Sequence, residues 1–290
     1  MATLLKAATI SQAIVDDLKS KCESIREKGV TPTLKVILVG EHAPSVIYTR
    51  NKKKFMERIG AKCEIINIPD NVSEEAFLKQ IKNLSEDKNV NGLFVQLPLP
   101  KHLDHIDVGQ LIPPDKDVDG FHAQNLYQVM AGDLGQNALL PCTPKGILTL
   151  LENAKVDLNG KTVAIIGRSL IVGKPLSLLL TNKNCTVTLC HSRTKNIKEI
   201  TSKADIVVAA IGKAKFVDAS FLGERRDQII IDVGINHDSG GKLCGDVDFE
   251  NVKDICSAIT PVPGGVGPMT INSLGQNLIT ATIRQSGITV

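Results

Sequence analysis

No two of the seven cysteines stand at C-x-x-C spacing, so the chain lacks the pairs that bind zinc or cycle a disulfide. Their odd number and scatter, at 22, 63, 142, 185, 190, 244 and 256, also exclude a disulfide framework and fit thiols kept reduced. A sustained apolar run is missing at the start. "MATLLKAATISQAIVDD" reaches Asp16 and Asp17 before a signal-peptide core could form, and no stretch is long enough to span a bilayer. A cytoplasmic location is therefore expected. Charge of one sign is scarce too, at a net +3. The one dense basic run, Arg50-Asn-Lys-Lys-Lys54, has no aromatic interleaving and reads as a solvated helix face. Neither nucleic acid nor a membrane is an expected partner.

The chain has 290 residues, 42% hydrophobic and 22% charged, which is material for two soluble cores. Its first part alternates in period. An amphipathic helix over 11–28 stops at Gly29. Strands follow at 33–40, 61–69 and 91–100, separated by helices at 44–60 and 73–87. The pattern weakens from Leu97 to Cys142, where five prolines and "PPDKDVDGFH" read as a long irregular connection. A helix over 143–155, with Thr143 as N-cap and Pro144 at its first position, resumes the order. Strands at 161–167, 185–190, 204–212 and 228–236 then alternate with helices at 175–184 and 194–203, and a last helix covers 271–285. The fold class is α/β: two α/β domains with a cleft between them, the second a Rossmann-like dinucleotide-binding domain. The domains are 1–141, joined by a C-terminal helix at 271–290, and 142–270.

"VAIIGRSLIVGKPLSLLL" begins as a nucleotide-binding turn and then departs from it. Gly167 ends a buried strand, but Ser169 replaces the second glycine of G-x-G-x-x-G, and Gly173 comes late, before Lys174-Pro175. Glycines in such a turn let backbone approach a pyrophosphate at a helix N-terminus. Taken alone, the segment is as well explained by an ordinary strand-to-helix turn. The next strand weighs on the choice. An NAD site places Asp or Glu about 20 residues on, for the ribose 2′-hydroxyl. Here "CTVTLCHSRT" carries His191-Ser192-Arg193 and no carboxylate, so Arg168, Ser192 and Arg193 suit a 2′-phosphate and NADP, unless Arg193 is a plain exposed loop residue.

In the first domain, Tyr48 and Lys52 are four apart and share a helix face. Y-x-x-x-K alone is common. Phe55 and Ile59 on the same stripe point to a partly buried lysine with a lowered pKa. Gln96 ends the third strand, where open parallel sheets place ligands. Asp119 lies in a turn-prone loop with Asp115 and Asp117. That loop lacks the glycine and closing glutamate of an EF-hand, and no metal is expected. "TPVPGGVGPMT" packs Gly264, Gly265 and Gly267 among prolines, a side-chain-poor loop against which a flat ring can lie.

Together "YTRNK", "VQLPLP", "PPDKDVDGFH", "PCTPKG", "GRSLIVGKP", "CHSRT", "DVGIN" and "ITPVPGGVGPMT" resemble, in order from about residue 35 to 270, the bifunctional methylenetetrahydrofolate dehydrogenase/cyclohydrolase family of bacterial type. The resemblance implies oxidation of 5,10-methylenetetrahydrofolate by NADP⁺ to the methenyl cation, then hydrolysis to 10-formyltetrahydrofolate. It makes Lys52 the central catalytic residue, Tyr48 the group that orients folate, Gln96 the partner of Lys52, and Asp119 the pterin anchor. Pro263 and Gly264 become substrate contacts. Gly167, Arg168, Ser169, Gly173, Ser192, Arg193, Ile235 and Thr270 become cofactor contacts. It also implies a homodimer. The chain has no G-x-x-x-x-G-K-[ST] loop, so ATP-dependent folate ligation is not expected. A monofunctional or NAD-preferring dehydrogenase, a small-acid dehydrogenase and a non-catalytic NADP sensor are the competing readings. Two departures from the family pattern stand out: "KAATISQAI" in place of a turn before the first helix, and Gly275 inside the last helix.

Overall fold

A computed structural model describes residues 2–135 and 138–289. In chain order its elements are β1 (Thr3–Leu4), α1 (Ala8–Glu27), β2 (Thr33–Val39), α2 (Ala43–Arg58), β3 (Lys62–Ile68), α3 (Glu74–Glu86), β4 (Gly92–Val95), α4 (Val108–Leu111), α5 (Ala123–Ala131) and α6 (Cys142–Asn153). They continue with β5 (Thr162–Ile166), α7 (Gly173–Thr181), β6 (Thr186–Cys190), α8 (Ile197–Lys203), β7 (Ile206–Ala209) and β8 (Ile229–Asp232). The short β9 (Asn236–His237), β10 (Leu243–Cys244), α9 (Phe249–Val252) and β11 (Ala258–Ile259) lead to α10 (Val266–Ser286). The chain forms two compact units, one of residues 13–142 with 271–290, the other of residues 1–12 with 143–270.

In the first unit β3, β2 and β4 form a parallel sheet in that order. β2 is central, and its inner residues Val36 to Val39 are all buried, as expected for a parallel strand covered on both faces. Ile37, Phe77, Ile81 and Leu93 form the core between this sheet and α3. Ser73 caps α3 by accepting from the Ala76 amide, and Glu74 and Glu75 suit the positive end of its dipole. The C-terminal part of α10 is stitched in by Asn277, whose Nδ2 donates to the carbonyls of Val118 and Leu140, both at 2.8 Å. Gly275 is explained by crowding. A Cβ there would stand 2.7 Å from Phe55 Cε1 and 3.2 Å from Leu18 Cδ1. Gly→Ala inside a helix normally gains about 1 kcal/mol, but overpacking a filled core costs about 1–3 kcal/mol. Gly275→Ala is therefore expected to melt at a lower temperature than the parent, and a higher melting point in a thermal scan would refute the packing argument.

The second unit holds a six-stranded parallel sheet in the order β1-β11-β8-β7-β5-β6, and the antiparallel β9–β10 pair. Val207, Ile230 and Ile259 bury its centre with Phe221. The chain steps from β5 outward to β6, then crosses back to β7 on the other side, which makes the carboxyl ends of β5 and β7 a topological switch point.

Several boundaries differ from the sequence expectation. Residues 1–12 belong with the second unit, because β1 pairs with β11 through Thr3↔Ala258 and Leu4↔Ile259. α10 starts at Val266 instead of 271, since Pro268 falls in its first turn, where an amide has no helical partner to lose. α6 starts one residue early, so Thr143 is inside it, and its Oγ1 lies 3.1 Å from Thr270 Oγ1. α5 arises within the stretch read as irregular. It is capped by His122, whose Nδ1 accepts from the Gln124 amide, and closed by left-handed Gly132. Among the described residues, no helix is long and apolar enough to cross a membrane.

Candidate active site

Pro44 in the first turn starts α2, and its buried face is Ser45, Thr49, Lys52 and Met56. Lys52 is only 8% exposed. Its Nζ donates to Gln96 Oε1 at 2.9 Å and lies 3.4 Å from the centre of the Phe94 ring. Gln96 directly follows β4, and its amide still pairs with the Ile37 carbonyl. Its Nε2 donates to the Leu97 carbonyl at 2.7 Å, which turns Oε1 toward the lysine. One residue packed against Lys52 was not among those expected. Phe55 and Ile59 face Gly275 of α10, while Phe94 supplies an aromatic face, a favourable seat for an ammonium. Tyr48, one turn before Lys52, is 37% exposed, and burial of the rest of its ring holds the phenol pKa up.

Burial lowers the Lys52 pKa from the usual lysine value to about 8, with the Asp119 carboxylate pulling it back up. Asp119 is pushed up to about 7, chiefly by burial, with the Lys52 charge pulling it back. The two groups thus sit close to neutrality from opposite sides. The loop that carries Asp119 is held by its neighbour. Asp117 Oδ1 accepts from the Gly120 amide, and Oδ2 accepts from the His122 amide and Asn125 Nδ2, at 2.7–3.0 Å. Gly120 has φ +79°, and a Cβ there would be 2.5 Å from the Leu140 carbonyl carbon, so this turn requires glycine. Asp117 is spent on its own backbone, and the aspartate cluster is a loop clamp.

In the second unit, the amide of Gly167, at the end of β5, donates to the Cys190 carbonyl at the end of β6. That pairing brings Arg168 and Ser169 beside the turn of Ser192 and Arg193, and all four side chains are exposed. Ser169 Oγ accepts from the amides of Val172 and Gly173 at 3.1 and 3.4 Å, which leaves its own proton to donate outward. A Cβ on Gly173 would be 2.7 Å from the Gly167 carbonyl carbon, and one on Gly167, at φ +127°, would be 2.9 Å from that of Ala210. The long spacing of the motif is thus a tightly closed turn. Ile235, after β8, is 48% exposed, and its Cδ1 approaches Gly267 in the first turn of α10. Pro263 is exposed, and Gly264, at φ +103°, follows it and accepts from the Ala7 amide through its carbonyl. Thr270 is engaged with Thr143 as described. Among these residues the structure groups Gly167, Arg168, Ser169, Gly173, Ser192 and Arg193 on neighbouring strand ends, and Tyr48, Lys52, Gln96 and Asp119 in the other unit.

Sequence reasoning missed Phe94 and Asp117. Phe94 lies in an apolar strand and carried only a core signal. Asp117, two residues before Asp119, was hidden by the turn-like composition of its loop.

The second unit is a dinucleotide-binding α/β domain by its parallel sheet and glycine turn, and the first holds a buried lysine with a lowered pKa. Residues 5–119 match the family model for the tetrahydrofolate dehydrogenase/cyclohydrolase catalytic domain, and residues 141–286 that for its NAD(P)-binding domain. The bifunctional protein FolD of Bacillus cytotoxicus is 48% identical over 284 residues, covering 98% of each chain. The crystal structure of the Campylobacter jejuni bifunctional enzyme FolD superposes with a TM-score of 0.92 at 39% identity, over 98% of this chain and 99% of that one. The Trypanosoma brucei enzyme, solved with NADP cofactor and inhibitor, has a TM-score of 0.92 at 33% identity over 99% of both chains. The chain belongs to the tetrahydrofolate dehydrogenase/cyclohydrolase family.

Proposed function

We propose that the chain oxidises 5,10-methylenetetrahydrofolate to 5,10-methenyltetrahydrofolate with NADP⁺ and hydrolyses the product to 10-formyltetrahydrofolate. The observation that carries this reading is the buried Lys52, held by Gln96 and tuned toward neutrality beside Asp119.

Lys52 can act on both proton movements of the hydrolysis. Its neutral amine accepts a proton from water as the oxygen bonds to the methenyl carbon. The bond from that carbon to N5 then breaks as the new hydroxyl loses its proton to solvent, and N5 takes one from the Lys52 ammonium. Gln96 keeps Nζ aimed, and the Asp119 carboxylate accepts hydrogen bonds from the amide and amino edge of the pterin. Tyr48, exposed one turn away, orients the folate. Gly167 and Gly173 fit a dinucleotide turn because a side chain at either would strike the backbone that closes it. Ser169, Arg168, Ser192 and Arg193 would hold the phosphates, with Ile235 and Thr270 nearer the nicotinamide. NADP⁺, when bound, would supply the hydride acceptor for the methylene carbon. The absence of a carboxylate after β6 supports NADP over NAD. The family supports a homodimer, and the scattered cysteines support a cytoplasmic location.

Purified protein supplied with 5,10-methylenetetrahydrofolate is expected to reduce NADP⁺ in preference to NAD⁺, with little accumulation of the methenyl compound after acid quenching. NADPH formed with methenyl build-up would reduce the reading to a dehydrogenase. No reduction of either cofactor would overturn it.

A further inference from the structure

The richest polar cluster outside the Lys52 site lies under the loops that follow β7 and β8. Asp246 is fully buried, and its carboxylate accepts four hydrogen bonds. Oδ2 takes the amides of Ile211 and Gly212 at 2.7 and 3.0 Å, and Oδ1 takes the Lys213 amide at 2.8 Å and Asn236 Nδ2 at 2.9 Å. Three consecutive amides converging on one point make an anion cradle. Here the protein fills the cradle with its own carboxylate.

A second buried carboxylate holds the first. Asp232, at the end of β8, accepts from the amides of Gly234 and Asp246 through Oδ1 and of Val247 through Oδ2, at 2.8–3.0 Å. Glycine backbone is packed against both. A Cβ at Gly234 would run into the Asp246 carboxylate, and one at Gly245 would collide with that of Asp232. Among the described residues neither aspartate is in a salt bridge, and their carboxylates accept from backbone amides and one side-chain amide. Such bonds to a buried charge are strong, and losing them leaves costly unpaired amides.

The bonds lead to the cofactor side of the sheet. The turn at 211–213 follows Ala210, whose carbonyl is the group that a side chain on Gly167 would strike. Asn236 follows the exposed Ile235. One carboxylate therefore fixes two loops that flank the carboxyl ends of adjacent parallel strands, where this fold class binds dinucleotides.

We infer that Asp246 is a positioning residue for the dinucleotide: it holds the 211–213 turn and the Gly234–Asn236 segment in the shape against which NADP⁺ binds. The inference rests on the cofactor site proposed above. It is tested with Asp246→Asn in the full chain, which keeps the size but turns two acceptors into one and adds a donor facing N–H groups. The dissociation constant and KM for NADP⁺ are expected to rise at least tenfold, with kcat at saturating NADP⁺ within about threefold of the parent. Hydrolysis of supplied methenyltetrahydrofolate, which uses no dinucleotide, is expected to stay within about twofold.

Unchanged NADP⁺ affinity would overturn the inference, and so would a parallel loss of both activities, which marks a general structural role. If Asp246→Asn does not fold, Asn236→Ala removes one of the four bonds and is expected to weaken NADP⁺ several-fold while sparing hydrolysis. Unchanged affinity in that variant would overturn the inference in turn. Failure of the parent itself to bind NADP⁺ would overturn the cofactor site, and this inference with it.

Discussion

Lys52→Met is expected to lose at least a hundredfold in hydrolysis of methenyltetrahydrofolate while keeping its melting temperature at pH 7. The rate loss follows from removing the buried amine proposed to take and return a proton, a contribution of about 10²–10⁴. The stability argument is a comparison of two costs. Holding the lysine pKa at about 8 means that keeping it charged at pH 7 costs on the order of 3 kcal/mol, at about 1.4 kcal/mol per unit. Methionine removes that cost but leaves Gln96 Oε1 without its donor, a loss of about 1–3 kcal/mol. The two roughly cancel, with the balance toward the variant.

The sign with pH is also fixed. Between about 8 and the usual lysine value of 10.5, the unfolded chain holds the Lys52 proton and the folded chain has lost it. Stability from this group therefore rises with pH across that window. The parent should gain on Lys52→Met above pH 8 in parallel thermal scans, and its hydrolysis rate should climb through about pH 8 as the amine becomes neutral. A variant that hydrolyses the methenyl compound at the parent's rate would remove Lys52 from the chemistry.

Gly173→Ala is expected to weaken NADP⁺ by at least a hundredfold, about 2.7 kcal/mol, and to abolish the dehydrogenase at ordinary cofactor concentrations. Every atom that the new methyl group would meet at close range is backbone, from Gly167 and Arg168, with Gly167 carbonyl carbon at 2.7 Å. Relief requires opening the turn, and Gly167 is itself confined by a positive φ and by Ala210. Calorimetric titration with NADP⁺ gives the affinity, and hydrolysis of supplied methenyltetrahydrofolate serves as the internal control, since Lys52 lies in the other unit. Cofactor binding at the parent's affinity would show that the turn at 167–173 is not where the phosphates rest.

The strands were legible where both faces are buried. Val163 to Ile166 and Val36 to Val39 are apolar throughout, and a parallel strand under two layers of helix must be so. Lys52, Gln96 and Asp119 were legible because each stands at a strand end, a helix stripe or a turn where chemistry is usually placed. The remainder was hidden by local signals that tertiary structure overrides. Histidine is an unusual cap, so α5 passed for loop. Gly267-Pro268 reads as a helix stop, yet in a first turn it is harmless. β1 is two residues long, and only pairing with β11 makes it a strand. Phe94 beneath Lys52, and Asp246 under its four donors, are contacts between residues distant in sequence, and no periodicity encodes them.

The interleaving of the two units along the chain has a consequence for synthesis. Every strand of the six-stranded sheet has been made by Ile259, and its unit is complete at Thr270. The Lys52 unit must wait for α10, because Asn277 closes on Val118 and Leu140, and Gln285 closes on Asn91 and Asp115. Although its own strands leave the ribosome earlier, the nascent catalytic unit stays open along the groove that α10 will fill. The nucleotide-binding unit can therefore finish first, and the Lys52 unit is sealed only once Asn277 and Gln285 have been translated.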